Sequence, residues 1–555
     1  MNAKDLIKHY DARKSERGTQ DSVWQEIAEV IIPNRATINV VRSPGEKLNQ
    51  LLYDSTAYDS LITLALWLSS SLTSMAMDWF FLKIGDSEEE IDQDGQIWLE
   101  NQRKRLFSAL RASNFSGQMD QSYIDWPGFG EGVIFNDESQ VKKAGFNGFH
   151  FECIAPGTYV LDEDGEGSTV YIGREFKLSA NAAYSRWGDK AGEKVVKAKE
   201  KESTENFTFL HCVYPSDWFD AKKKTHPFMS AYINYEEKRF ITQGGYHEFP
   251  YAVFPWMKVS GEKYGRGPGH IALPDARTLN KAEEYGLKAW GKAIDPPVEI
   301  FEGGILGAIN LYPGAKNYVS VKETVRPIES GAKWDVQQIE REQKRDSIRR
   351  IFHNDKIMVL PDPKQRKGDM TAFEVSIRYE MAQKLLGSPF NNLINLGLDK
   401  IIERCFGIMY RAGALDPPPD SIRRAAMNDQ QIDIQYESPL ARAQRLEMVE
   451  SMGKMFAFVG QIPIEAGIPN PWDNLDVDEG IRQAGKIMGL SPKVIRSKDE
   501  TAKFRDEKAA TNAPQEDMDQ ASQGAEIMSK ALPAMKDMDP AMMGQIAEAA
   551  GRGGL

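Results

Sequence analysis

Apolar residues recur at helical spacing in Val23, Ile27, Val30 and Ile31 before Pro33 stops the run, so the chain opens on helix. A second helix is predicted over Thr56 to Ser74, with Asp54, Ser55 and Thr56 offering N-cap oxygens. The aromatic segment Trp79 to Ile84 reads as a strand, and the acidic turn Glu88-Glu89-Glu90 predicts a helix running to about Ala112. From about 126 to 260 the pattern changes to short β-type pieces between turn residues. These are Gly132 to Phe135, Phe149 to Ile154, Tyr159 to Leu161, Thr169 to Phe176, Phe207 to Tyr214, Phe228 to Tyr235 and Arg239 to Thr242. Such punctuation predicts antiparallel sheet, so the expected class is α+β, with helices laid against a sheet.

After Pro274 the pattern reverts to helix, with Leu279, Ala282, Gly286, Ala289 and Ala293 on one side and Lys281, Glu283, Glu284 and Lys288 elsewhere. Pro296 and Pro297 end it. A small insert with Gly303, Gly304, Gly307, Pro313 and Gly314 follows, and a charged helix is predicted from Trp334 to His353. Two helices that flank one small insert must run roughly antiparallel. Pro361 to Asp369 reads as a loop, and Thr371 to Arg411 as a long helical tract bent at Gly387-Ser388-Pro389. The region from Ser438 is helical again. The last fifty residues are rich in Ala, Met, Gln and acids, poor in aromatics, and fit either a helix ordered by oligomerisation or partial disorder.

Composition narrows the function. At 555 residues the chain exceeds one core, and two to four subdomains are expected. Net charge is 69 − 81 = −12, so the surface as a whole repels a polyanion. Cys153, Cys212 and Cys405 are widely separated, which argues against a disulfide framework or zinc site and suits a reducing cytoplasm. The N-terminal sequence has no apolar core of signal-peptide type. The apolar run Leu61 to Leu72 falls short of the about 20 residues a membrane span needs.

Catalytic and cofactor motifs are missing. Gly265-x-Gly267-x-Gly269 and Gly128-x-Gly130-x-Gly132 lack the form of a phosphate-binding loop and read as backbone freedom at element junctions. Asp162 to Gly167 begins like a calcium loop, but Gly173 stands where a bidentate glutamate is required, so a hairpin turn is expected. The seven histidines show no metal-binding spacing and no serine elbow is present. No enzyme activity, metal or cofactor is expected.

Seven blocks in order carry a resemblance. They are Tyr53-Asp54-Ser55-Thr56-Ala57 with Trp79-Phe80, Leu161 to Gly165, Tyr264 to Asn280, Asp295 to Val298, Met370 to Val375, Gly387 to Pro389, and Ser438 to Gln444. Together they resemble the head-to-tail connecting (portal) proteins of short-tailed bacteriophages. The resemblance implies a ring, usually of twelve subunits, at one capsid vertex, serving as the channel for double-stranded DNA packaging and ejection. It also implies a wing (1–270 with 371–437), stem helices (271–294 and 334–357), a clip (295–333), a channel loop (358–370) and a helical crown with C-terminal tail (438–555). Implied partners are the terminase that drives packaging, the tail adaptor, scaffold and major capsid protein, without membrane. The setting is the virion, with host cytoplasm during assembly.

On that layout Lys364, Arg366 and Lys367 occupy the channel loop, where a ring would repeat each cation toward DNA phosphates. Arg341, Lys344, Arg345, Arg349 and Arg350 on the second stem helix alternate with Glu340, Glu342 and Asp346. Contact with DNA and ion pairs between helices are both open for them. Transport needs weak, equivalent contacts without base readout, which a mostly acidic wall with narrow cationic bands would supply. Two other readings remain, another ring-forming virion or tail component and a virion-associated hydrolase with paired carboxylates.

Overall fold

Helix α1 (Ala3–Val30) begins twenty residues ahead of the apolar run that announces it. Its first turn is fixed by the Asn2 N–H, which donates to Asp5 Oδ2 at 3.1 Å. The early part is hard to read because two charged residues lie on its buried face. Arg17 Nε pairs with Asp21 Oδ1 at 2.7 Å, and Arg17 Nη2 donates to Gly157 O at 2.7 Å. Burial is tolerable there because both ions are paired and bonded.

The computed structural model describes residues 2–300 except 41–44, 47–51, 76–78, 85–92, 140–144, 219–225 and 295. Further on it describes a few positions in 301–333, then 334–357, 386–427, 432–436 and short pieces between 449 and 508. Two compact units result, one of residues 1–90 with 98–448 and one of residues 91–97 with 449–555.

The fold is α+β, as expected, with antiparallel sheets. In the larger unit, strands β4 (Tyr159–Glu163), β5 (Thr169–Ser179), β6 (Asn206–Pro215), β7 (Phe228–Asn234) and β8 (Arg239–Tyr246) form a sheet in sequence order. Side chains alternate between its faces. Leu210, Cys212, Ala231 and Ile233 meet Leu6, Ile7 and Tyr10 of α1, while Phe207, Phe209 and Ile241 meet α5 (Ala180–Trp187) and α6 (Glu193–Glu200). Strands β2 (Glu131–Glu138), β3 (Phe149–Cys153) and β9 (Tyr251–Pro255) form a second antiparallel sheet with β2 in the middle. Strand β1 (Phe80–Ile84) pairs with Ile432–Tyr436, across some 350 residues of chain.

Several elements depart from the sequence reading. Helix α4 (Phe115–Phe129) occupies a stretch given over in part to β structure. Phe115, Met119, Tyr123 and Trp126 line its buried side, and Pro127 is taken up in its last turn. Strand β9 is buried at all five residues, and no alternation betrays it. Residues 386–392, which include Gly387-Ser388-Pro389, are helical, and the tract before 386, on which the expected bend or break depends, lies outside the described residues. An irregularity of the described helix is a π-helical turn at Leu393–Leu398. Its cause is the end of β9: Gly397 lies under the Phe254 ring, and Asn392 Nδ2 donates to Pro255 O at 3.2 Å. The acidic turn at 88–90 lies outside the described residues.

Glu131, where β2 begins, is buried and accepts from Tyr159 Oη at 2.7 Å. Burial lifts its carboxyl to about 8. A folded pKa above the unfolded value means stability is fully present below about pH 4.5 and is lost as pH rises through about 8. Glu131→Gln, which keeps the acceptor, is therefore expected to match the parent near about pH 5 and to exceed it near about pH 9. Denaturant midpoints at both pH values check this. A gap that does not widen with pH would refute the neutral buried carboxyl.

Candidate functional site

Helix α7 (Pro268–Ile294) starts two turns earlier than the pattern predicts, with Pro274 inside it. The reason lies in the two glycine motifs, which pack backbone to backbone. A Cβ at Gly265 would overlap the Gly130 carbonyl, one at Gly267 the Pro127 carbonyl, and one at Gly269 the Gly128 carbonyl. Gly130 itself has φ +85° and closes α4 in the left-handed region. The motifs thus form a seam that anchors the first turn of α7 to the end of α4, and the junction reading of both motifs becomes a pairwise one.

Helix α8 (Trp334–Ile351) runs antiparallel to α7. Its register is set by charge. Lys344 Nζ meets Asp275 Oδ1 at 2.6 Å and Ser347 Oγ donates to Asp275 Oδ2 at 2.7 Å, which hold that carboxyl below its ordinary range. Eight residues on, Glu283 accepts from Arg345 Nη2 at 2.8 Å and from Arg341 Nη1 at 3.4 Å. Arg341 also donates to Ala282 O at 3.2 Å, and it lies where a Cβ at Gly286 would stand. Glycine at 286 therefore lets this guanidinium cross α7.

The hairpin is tied to helix α2 (Thr56–Leu72) by the segment that precedes it. Arg345 Nη2 and Nε reach Asp54 Oδ2 at 2.9 and 3.1 Å, and Asn280 Oδ1 accepts the Tyr53 N–H at 2.6 Å. The other Asp54 oxygen accepts the Thr56 N–H at 2.9 Å, so one carboxylate caps α2 and binds α8. Asp54, Asn280, Glu283 and Gly286 are site residues that charge counting along the second helix passes over.

Of the cations picked out in sequence, Arg341, Lys344 and Arg345 are thus brought together on the α7-facing side of α8. Arg349 lies outward and bridges Glu342 and Asp346 at 3.1 and 2.9 Å, and Arg350 Nε donates to Asp346 O at 3.2 Å. Lys364, Arg366 and Lys367 lie outside the described residues. The second helix is also shorter than expected. It ends at Ile351, His353 turns the chain with φ +58°, and Asn354–Ile357 makes a separate turn, α9. Between α7 and α8, Val298–Ile300 pairs antiparallel with Val325–Pro327, the described part of the insert.

The calcium-like loop is a hairpin turn between β4 and β5. Asp164 Oδ1 accepts the Glu166 and Ser168 N–H groups, both at 2.9 Å, while Asp162 is paired with Arg13 at 3.1 Å and Lys263 at 3.1 Å. Among the described residues no group of three or more His, Cys, Asp or Glu is placed to hold a metal, and no helix is long and apolar enough to cross a membrane.

The α+β chain thus carries two long antiparallel helices, braced by ion pairs, around a small β insert. Residues 3–495 match the model of the bacteriophage head to tail connecting protein family, and the chain belongs to that family. It is 26% identical over 542 residues to the probable portal protein of Bordetella phage BPP-1, covering 95% of this chain and 93% of that one. To the portal protein of Salmonella phage epsilon15 it is 26% identical over 576 residues, covering 98% of each. A chain of the virion of a native gene transfer agent particle aligns over 78% of this chain and 89% of its own length at 12% identity, with a TM-score of 0.35, too low to weigh.

Proposed function

We propose that copies of this chain close into a ring, of twelve subunits in the family pattern, at one capsid vertex. There the ring serves as the channel through which double-stranded DNA is packaged and ejected. The observation that carries this reading is the family match over residues 3–495, joined to the antiparallel α7–insert–α8 hairpin inside it. The stem is then the hairpin, the clip is the insert at 295–333, and the wing is built on the two sheets. Terminase docks first and a tail adaptor later, with scaffold and capsid protein around the ring. The chain itself acts without catalysis. Electron micrographs of purified protein, scored for rotational symmetry and an axial hole, test the ring; a monomer at all concentrations overturns it.

The loop 358–370 between stem and wing is the constriction in this reading, with Lys364, Arg366 and Lys367 as a cationic band that retains packaged DNA. Replacing all three by alanine is expected to leave ring formation intact and to raise leakage of DNA from filled heads. The nuclease-sensitive fraction measures this. Unchanged retention would remove the loop from the mechanism.

A further inference from the structure

Between the five-stranded sheet, strand β9 and the π-helical turn at Leu393–Leu398 lies a recess of about 460 Å³, a volume typical of small-molecule pockets. Its wall is mostly apolar, with Phe228, Phe249, Tyr251, Val253 and Leu396 among the lining residues. Glu131 lines it too, though only 2% exposed. Its Oε2 accepts from Tyr159 Oη at 2.7 Å, and among the described residues the carboxyl has no second hydrogen-bond partner. The charged and titratable groups that face it are Tyr159 and Glu163 of β4, Lys258 and Tyr264 beyond β9, and Arg17 of α1. Both cations are held elsewhere, Lys258 by Glu163 at 2.6 Å and Arg17 by Asp21 at 2.7 Å. No cation therefore bonds the Glu131 carboxyl, and burial keeps it protonated at neutral pH. Tyr159 serves one oxygen as donor, so the proton sits on the other, free to bond a molecule in the recess.

We propose that this recess binds a small, uncharged, largely apolar molecule whose carbonyl or similar acceptor takes a hydrogen bond from Glu131. Ligand charge is selected against. Lys258, Lys263 and Lys400 at the rim pair with Glu163, Asp162 and Glu403 at 2.6, 3.1 and 3.2 Å, so an anion meets no free ammonium among the described residues. A cation would give up its hydration for a neutral carboxyl and an apolar wall. The ring of ion pairs also interrupts the apolar surface, which suits a small molecule better than the continuous face of a protein partner. An acceptor is required as well as apolar bulk. A molecule without one leaves a buried donor unmade, and that loss separates it from an otherwise equal ligand.

The test uses N,N-dimethylbenzamide, which has an acceptor and no donor, and benzoate as its charged counterpart, with binding to the full chain read by saturation-transfer NMR. The amide is expected to bind the parent near about pH 7, and benzoate roughly tenfold more weakly or less. Raising the pH to about 9.5 should weaken the amide about fivefold, because the ionised carboxylate accepts hydrogen bonds and cannot donate one. Glu131→Gln, whose amide N–H stands in for the carboxyl proton, should lose that pH dependence. Leu396→Trp, at a position 37% exposed, should fill the recess and abolish binding, with circular dichroism checking the fold of each variant. No binding by the parent, equal binding of benzoate, the same pH loss in Glu131→Gln, or binding untouched by Leu396→Trp would overturn the proposal. A blocked phenylalanyl peptide that binds more tightly than the amide would overturn it too, and would make the recess a seat for a protein segment.

Discussion

Alanine at Gly130 is expected to cost about 4 kcal/mol or more, enough to leave the larger unit insoluble or unfolded. Two terms add. The residue sits at φ +85°, where a Cβ costs about 1–2 kcal/mol. The second term is overlap, since that Cβ would meet the Gly265 carbonyl and lie 2.6 Å from Arg266 Cα, both backbone atoms that cannot rotate away. Gly261→Ala separates the terms, because Gly261 has φ +86° with nothing within 4 Å of its added Cβ. It should lose only the first, about 1–2 kcal/mol. Soluble yield and the denaturant midpoint by tryptophan fluorescence measure both variants. If the two lose the same amount, the seam contributes nothing beyond its backbone angles.

That seam also marks how much of the molecule was legible. Both Gly-x-Gly-x-Gly motifs stand out in the chain, and their role as junctions follows from residue type. That they face one another does not, because nothing in either motif names its partner across more than a hundred residues. The β4–β8 sheet was readable because its strands are consecutive and are separated by turn residues. Helix α4 was hidden by Gly117, Pro127 and Gly128, punctuation that reads as loop until the packing of Trp126 is seen. The α7–α8 hairpin was readable as two antiparallel helices. Its brace was less so, because Asp54 lies 291 positions from Arg345 and only the fold brings them together.

Arg345→Met is expected to destabilise the hairpin by about 2–3 kcal/mol at neutral pH, near the lower end of the range for breaking a buried pair. The side chain of Asp54 is 8% exposed and that of Glu283 17%, so both carboxylates would be left without their main cation in a poorly hydrated place. The value falls short of the fully buried limit because Arg345 is itself 28% exposed, and water can reach part of the gap. Asp54 also keeps its bond to the Thr56 N–H. Arg345→Lys should recover only part, since one ammonium cannot reproduce two bonds to Asp54 and a third to Glu283. The informative variant removes all three charges. Arg345→Met with Asp54→Asn and Glu283→Gln should regain most of the loss, because the cost arises from the stranded carboxylates more than from any missing attraction. Hydrogen exchange across 279–286 and 341–348, with the denaturant midpoint, follows the series. If the triple variant is no more stable than Arg345→Met alone, Arg345 supports the hairpin through the packing of its stem rather than through its charge.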